Sequence, residues 1–185
     1  MAIARRFRII LTARLLLEYR EHTLYLLQTK ANGGGYTLPG GKIEGEEFAK
    51  EALVREAFEE AGIIVPKKNL ELVHIMHKQL KSTTEIIFFF KSKNWKGDLV
   101  VGETDKFQDV VWFPNDEPPK RLPAVIQAAM EKIQRGKIYS QYPSNKEKEK
   151  KKEKTVVVVV KKTAKKPVKK AAKAKSDKSI IQAQS

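Results

Sequence analysis

The 185-residue chain is 41% hydrophobic, which suits one globular domain with an extension rather than two domains. It contains no cysteine, so disulfides, thiolate metal sites and cysteine nucleophiles are excluded. Its net charge of +15 is concentrated at one end, because the segment from Ser144 onwards carries 15 Lys against 3 Glu and 1 Asp, which is +11.

The N-terminal part of the chain predicts strands separated by a glycine-rich loop. Apolar residues at alternate positions over 7–17 predict a half-buried strand, and a second strand is expected at 23–30. Residues 31–35 end in three consecutive glycines and predict a loop, which a short strand at 36–38 can follow.

The segment 46–61 has a helical pattern instead of an alternating one. Val54, Ala57, Phe58 and Ala61 form one apolar stripe, of which Val54 and Phe58 are expected to press into the core. Gly62 is expected to cap the C-terminal end of the helix.

The second half of the chain adds further strands and one more helix. Strands are expected at 70–79, 84–91 and 110–113, and the middle one is apolar on both faces, as is typical of a central strand. A second helix is expected to open at Pro123 and to close at Gly136. This order of elements predicts an α/β fold with a mixed sheet and helices packed on its faces.

The composition changes abruptly beyond Tyr142. Residues 1–143 are predicted to form the folded domain, whereas 144–185 are rich in lysine, lack aromatic residues and are predicted to be a disordered tail. Such a tail either makes non-specific contact with nucleic acid or is only a solubilising extension.

Neither a targeting segment nor a membrane segment is expected. Arg6, Arg8 and Arg14 interrupt the apolar runs near the N-terminus, which argues against a signal peptide. The longest apolar run is far shorter than a membrane span. A soluble cytoplasmic protein without a membrane partner is therefore expected, and the pattern carries no indication of an oligomeric state.

Three glutamates in the predicted helix share one face. Glu56, Glu59 and Glu60 stand at positions i, i+3 and i+4, where like charges repel each other by about 0.2–0.5 kcal/mol per pair. A divalent cation between them would reverse that cost, and carboxylate oxygens are ligands that Mg²⁺ or Mn²⁺ prefers. The alternative is a solvated acidic face, which is the commoner explanation of an isolated acidic cluster.

The residues around these glutamates make a long motif. The stretch 38–63 reads LPGGKIEGEEFAKEALVREAFEEAGI and resembles the signature of the Nudix hydrolase family, G-x5-E-x7-R-E-U-x-E-E-x-G-U, in which U is a bulky apolar residue. The chain departs from it at Ala57, which is smaller than the usual aliphatic residue, and in the position of the loop glycine Gly45. The matching positions are Gly41, Glu47, Arg55, Glu56, Glu59, Glu60, Gly62 and Ile63.

The resemblance extends beyond the signature to the stretch 103–142, which is similar to the C-terminal half of bacterial nucleotide-cleaning Nudix hydrolases. It implies a Nudix-type α/β/α sandwich with a mixed sheet, in which the signature forms a catalytic loop–helix–loop. Fold alone does not establish activity.

The resemblance also implies roles for individual residues and a metal cofactor, Mg²⁺ or Mn²⁺. Glu56 and Glu60 would be the main metal ligands, with Glu59 as a further ligand and the carbonyl of Gly40 assisting. Arg55 would orient the carboxylates.

Two candidates lie outside the signature. Glu103, in a loop before the strand at 110–113, is the candidate general base by resemblance, and the alternative is a solvated loop charge. Lys30 ends the second predicted strand and is a candidate phosphate contact, although a plain surface lysine fits equally well.

These observations predict a metal-dependent hydrolase that cleaves a diphosphate linkage in a nucleoside di- or triphosphate derivative, with oxidised purine triphosphates as plausible substrates. One alternative is a Nudix-like module that senses a nucleotide without cleaving it and is held on nucleic acid by the basic tail. Another makes the polycationic tail the functional part and the domain incidental.

Overall fold

Strands and two helices build the part of the chain that the computed structural model describes, residues 8–80 and 83–143. The tail predicted at 144–185 lies outside the described residues, as does Phe7 at the start of the first predicted strand. In chain order the elements are β1 (Arg8–Tyr19), β2 (His22–Gln28), β3 (Tyr36–Thr37), α1 (Ala49–Ala61), β4 (Glu71–Gln79), β5 (Thr83–Ser92), β6 (Phe107–Pro114), α2 (Ala124–Gln134) and β7 (Tyr139–Tyr142).

The strands form one mixed sheet, as predicted. Their order is β3-β2-β1-β5-β4-β7. The remaining strand, β6, lies outside this order and pairs with β2. The pairs β1–β5 and β4–β7 are parallel, and the remaining pairs are antiparallel. The prediction that the apolar strand β5 is central is confirmed, since it lies between β1 and β4.

The two helices cover opposite faces of the sheet. On one face Leu15 and Leu17 of β1 pack in the same cluster as Leu53 of α1. On the other face Leu16 packs in the cluster that contains Ile126 of α2. Because successive side chains of a strand point to opposite sides, this arrangement is the α/β/α sandwich that the sequence predicted.

The apolar stripe predicted for α1 is wrong in one respect. Phe58 is 58% exposed, whereas Ala57 and Ala61 are fully buried and Val54 packs only at the edge of the cluster. Phe58 stands about 100° around the helix from Ala57, which faces the sheet, so the aromatic ring points away from the core. The face that enters the core is therefore lined mainly by small side chains.

The ends of α1 follow from local hydrogen bonds. The helix begins at Ala49, three residues later than predicted, after Phe48 donates its backbone N–H to Glu51 Oε2 at 2.9 Å. It ends at Ala61 and is capped, as predicted, by Gly62, whose φ of 70° is the left-handed conformation typical of a C-terminal cap.

The last strand, β7, was not predicted. It pairs with β4 and is fastened there by the buried side chain of His74, whose Nδ1 lies 2.6 Å from the carbonyl oxygen of Lys137 and whose Nε2 lies 2.9 Å from Ser140 Oγ. Within the described residues, no helix has both the length and the apolar character needed to cross a membrane.

Candidate active site

The loop before α1 runs along β1 as an additional strand-like segment. Ala13 donates its N–H to the Gly41 carbonyl and Leu15 donates to the Pro39 carbonyl, both at 2.9 Å. Gly40, at φ 123°, lies so close to β1 that a Cβ there would clash with the carbonyl of Ala13. Only glycine allows this approach, which brings the loop backbone against the carboxylates of α1.

Glu60 is the most buried of the site carboxylates, with 5% of its surface exposed. Its Oε2 accepts the backbone N–H of Gly40 at 2.7 Å. Burial raises the pKa of Glu60 to about 8, and the negative charges of Glu56 and Glu103 push it in the same direction. This acid is therefore expensive to ionise unless a cation accompanies it.

Arg55 forms ion pairs with three carboxylates of the site. Its guanidinium contacts Glu47 at 2.7 Å and both Glu56 and Glu59 at 3.0 Å. The hydrogen bond from Arg55 lowers the pKa of Glu47, whereas burial raises the pKa of Glu56 above its ordinary value. The three carboxylates are thus held in fixed orientations around one cation, with Glu56 facing inward.

A second loop, between β5 and β6, brings in Glu103. Val100 and Gly102 donate their N–H groups to the carbonyls of Ala61 and Glu60, both at 3.1 Å, so the loop caps the last turn of the helix. A Cβ on Gly102 would clash with the backbone carbonyl of Glu59, which shows how closely the loop is docked.

Glu103 has two unequal oxygens. Oε1 accepts a hydrogen bond from the ammonium of Lys106 at 2.7 Å, and this bond raises the pKa of Lys106. Oε2 is buried and, within the described part of the chain, has no hydrogen-bond partner. Glu103 also lies near enough to Glu56 and Glu60 to raise the pKa of both, so its charge belongs to the same cluster.

Lys30 lies beyond the end of β2, in a short 3₁₀ turn, and is exposed. Its neighbours Thr29 and Asn32 donate to the carbonyl of Asp105 at 3.2 and 3.1 Å. Lys30 is therefore on the side of the loop that carries Glu103, without a described contact to the glutamates of α1.

Sequence reasoning missed Arg14. Its Nη1 donates to the carbonyl of Leu38 at 3.2 Å and to the carbonyl of Gly40, the same oxygen that the resemblance assigns to a metal. In the sequence Arg14 is notable only as one of the arginines that interrupt the apolar runs near the N-terminus. The available signal was that Arg14 shares its side of the strand with Leu16 and Thr12, both of which are buried.

Residues 10–135 match the family model of the NUDIX domain. This chain belongs to the NUDIX domain family. The match spans β1 to α2 and contains the signature loop, α1 and the loop of Glu103, so the family resemblance stated from the signature is confirmed.

Comparison with individual proteins agrees with membership of the NUDIX family. The 8-oxo-dGTP diphosphatase of Buchnera aphidicola subsp. Acyrthosiphon pisum (strain APS) is 35% identical over 75 residues, which are 40% of this chain and 58% of that relative. The chain thus spans less than two thirds of the curated relative that it matches.

Two solved structures illustrate the likeness of the fold. The MutT NUDIX hydrolase from Burkholderia pseudomallei superposes with a TM-score of 0.58 at 23% identity, over 68% of this chain and 97% of that one. The MutT protein from Methanosarcina mazei Go1 superposes with a TM-score of 0.56 at 22% identity, over 72% and 97%. At such identities the comparison establishes the fold.

The donor set of this NUDIX domain fits a divalent cation by its chemistry. Among the described residues, no group of three or more His, Asp or Glu side chains already converges on one point, since Arg55 lies between several of the carboxylates. Glu60 nevertheless carries a strongly raised pKa, and Glu103 presents a buried oxygen without a donor. A hard cation would offset the cost of ionising Glu60, and the free oxygen of Glu103 is open to a water molecule or a ligand.

Proposed function

We propose that this protein hydrolyses a diphosphate linkage in a nucleoside di- or triphosphate derivative, with Mg²⁺ or Mn²⁺ as cofactor. The observation that carries the proposal is the gathering of Glu56, Glu60 and Glu103 from a helix and a separate loop into one partly buried cluster. A buried cluster of like charges costs stability, so its presence at one end of α1 favours a functional role.

Glu56, Glu59 and Glu60 would hold the metal, with the Gly40 carbonyl beside them. A bound divalent cation neutralises phosphate charge and lowers the pKa of water. The residues of the chain supply the rest of the chemistry: Arg55 keeps the carboxylates oriented through its contacts at 2.7–3.0 Å.

Glu103 is proposed as the general base that takes the proton from the attacking water. Its Oε2 is buried and free of a described donor, so it can accept a proton, while Lys106 fixes the other oxygen. Glu59 is the fallback for this role. Lys30, exposed on the same side as the Glu103 loop, is proposed to contact a phosphate of the substrate.

Oxidised purine nucleoside triphosphates are the substrate class that we propose first. The support is the name of the Buchnera relative, an 8-oxo-dGTP diphosphatase, whose sequence this chain matches over part of its length. The products would be a mononucleotide and pyrophosphate, formed by attack of water on one phosphorus.

The test is a substrate panel incubated with Mg²⁺ or Mn²⁺, in which phosphate, pyrophosphate and mononucleotide are measured separately. The panel includes 8-oxo-dGTP, dGTP, ADP-ribose, a dinucleoside polyphosphate and capped RNA. We expect metal-dependent turnover of at least one nucleoside triphosphate and none in EDTA. Binding of a nucleotide without any product would support the sensing module instead.

A further inference from the structure

The guanidinium of Arg14 and the carboxylate of Glu60 both form a hydrogen bond with the backbone of Gly40 in the signature loop. The N–H of Gly40 is donated to Glu60 Oε2 at 2.7 Å, and the carbonyl of Gly40 accepts Arg14 Nη1. We propose that Arg14 is a positioning residue, which fixes the backbone of Gly40 and through it the metal-binding geometry of Glu60. This inference rests on the proposed metal-dependent function.

Gly40 needs such a clamp because of its conformation. Its φ of 123° is open to glycine and to few other residues, and a glycine loses the most conformational freedom on folding. Arg14 also donates to the carbonyl of Leu38 at 3.2 Å, so one guanidinium spans two carbonyls of the loop. Both hydrogen bonds are donated by Nη1, and the planar guanidinium holds this nitrogen more rigidly than the flexible stem of a lysine holds its ammonium.

The charge of Arg14 acts on the cluster without forming an ion pair with it. Glu60 and Glu56 lie near enough to interact electrostatically with Arg14, yet its described hydrogen bonds go to carbonyls. This separates Arg14 from Arg55, which contacts three carboxylates directly. A positive charge behind the loop offsets the mutual repulsion of the glutamates.

A second carboxylate near Arg14 does not compete for it through hydrogen bonds. Glu85 accepts Thr12 Oγ1 at 2.8 Å and Lys78 Nζ at 2.7 Å, which occupies both of its oxygens. Glu85 is therefore held by hydrogen bonds from the neighbouring strands. Among the described hydrogen bonds, those of the Arg14 side chain go to the signature loop.

The experiment compares Arg14→Met and Arg14→Lys with Arg20→Met, a control that removes an arginine of the exposed β1–β2 turn. Mn²⁺ binding is titrated by the loss of the free-ion electron paramagnetic resonance signal. kcat and KM are measured in parallel, and thermal unfolding is followed in EDTA. All variants are made in the full-length chain.

We expect Arg14→Met to weaken Mn²⁺ binding by about tenfold or more, as loss of outer-sphere support for a metal ligand typically does. Arg14→Lys should show a smaller loss, since it keeps the charge, and KM for the nucleotide should change little. If the methionine variant fails to fold, the Mn²⁺ affinity of the lysine variant decides.

An unchanged Mn²⁺ affinity in a folded Arg14 variant, with only a lower unfolding temperature, would overturn the positioning role. Failure of the proposed function is distinguishable from this outcome. If the proposed function fails, the unmodified protein turns over no nucleotide. The difference in Mn²⁺ affinity between the unmodified protein and the Arg14 variants still reports whether Arg14 shapes the site.

Discussion

Glu60 is a carboxylic acid placed at the boundary of the hydrophobic core, beside the buried residues Ala57 and Ala61 of the same helix. A folded-state pKa of about 8 lies above the ordinary value of 4.5. The stability that this group contributes in metal-free protein is therefore full below pH 4.5 and is lost as the pH rises towards 8. In metal-free protein at neutral pH the carboxyl of Glu60 therefore lowers stability relative to its value at acid pH, which is the cost that a bound cation is proposed to offset.

The first prediction follows from this cost. Glu60→Gln should lower kcat by about 10³-fold or more, because the ligand charge is lost while the shape is kept. In EDTA at pH 8 the same variant should be more stable than the unmodified protein, since the amide need not ionise. Steady-state kinetics and urea unfolding measure the two effects.

Glu131→Gln is the matched control, because it makes the same change at an exposed position of α2. It should leave both kcat and stability nearly unaltered. Near-normal turnover of Glu60→Gln at saturating Mg²⁺ would remove Glu60 from the metal site.

The second prediction concerns Glu103. Glu103→Gln keeps an oxygen for Lys106 but cannot accept a proton, so the maximal rate should fall by about 10²–10⁴-fold with little change in KM. The acid limb of the pH–rate profile should change as well. Asp105→Asn, two residues along the same loop, is the comparison: a loss confined to Asp105→Asn, or to neither variant, would pass the base role to Asp105 or Glu59.

At the scale of elements, the candidate site is the junction of one helix with two loops. The loop of Gly40 attaches to β1, and the loop of Gly102 attaches to the last turn of α1. Both approaches depend on the absence of a side chain. The carboxylates of α1 and Glu103 meet because these backbones can come so close.

How much of this the sequence predicts depends on how local each contact is. The spacing of Glu56, Glu59 and Glu60 within one helix fixes their shared face, so that part of the site was predictable. The burial of Glu60 and the contacts of Arg14 depend on a loop that pairs with β1, 26 residues away in sequence. No local pattern encodes such a pairing, and the alternation in β1 indicates only which side Arg14 faces.

The strand β7 was missed for a similar reason. Tyr139–Tyr142 is only four residues long and alternates between exposed and partly buried positions, so its pattern is weak. Its place is set by β4 and by the two hydrogen bonds of His74. These are contacts between distant parts of the chain, which composition and periodicity do not record.

His74 gives a prediction at this scale. Burial lowers its pKa below the ordinary 6.5, so the stability it contributes is present above pH 6.5 and is lost as the pH falls below that value. His74→Gln should reduce the free energy of unfolding at pH 7.5 by about 1–3 kcal/mol and flatten its decline towards pH 5.

His77→Gln is the control, because His77 lies on the same strand and contacts only the exposed Tyr139 hydroxyl, at 3.3 Å, among the described hydrogen bonds. Urea unfolding of the three proteins at several pH values measures the slopes. If His74→Gln runs parallel to the unmodified protein, His74 plays no part in the pH dependence.

At the scale of the whole molecule, charge is divided very unevenly along the chain. Residues 144–185 carry +11 of the total +15, and residues 1–143 carry the remaining +4. The proposed chemistry acts on free nucleotides and needs no polycation. The tail is therefore expected to contribute a separate, electrostatic property.

The last prediction tests that property. Fifteen lysines without aromatic residues can attract a polyanion but have no means of reading its sequence. The full-length protein should bind DNA and RNA weakly, with each neutralised phosphate of duplex DNA contributing about −0.9 to the log–log slope of affinity against salt. A chain that ends at Pro143 keeps β7, and it should lose this binding while hydrolysing nucleotides at an unchanged rate. The full-length chain with its tail lysines replaced by glutamine controls for the length of the tail. Labelled DNA and RNA titrated at two salt concentrations decide the matter, since equal binding by all three proteins, or by none, leaves the tail no role in nucleic-acid contact.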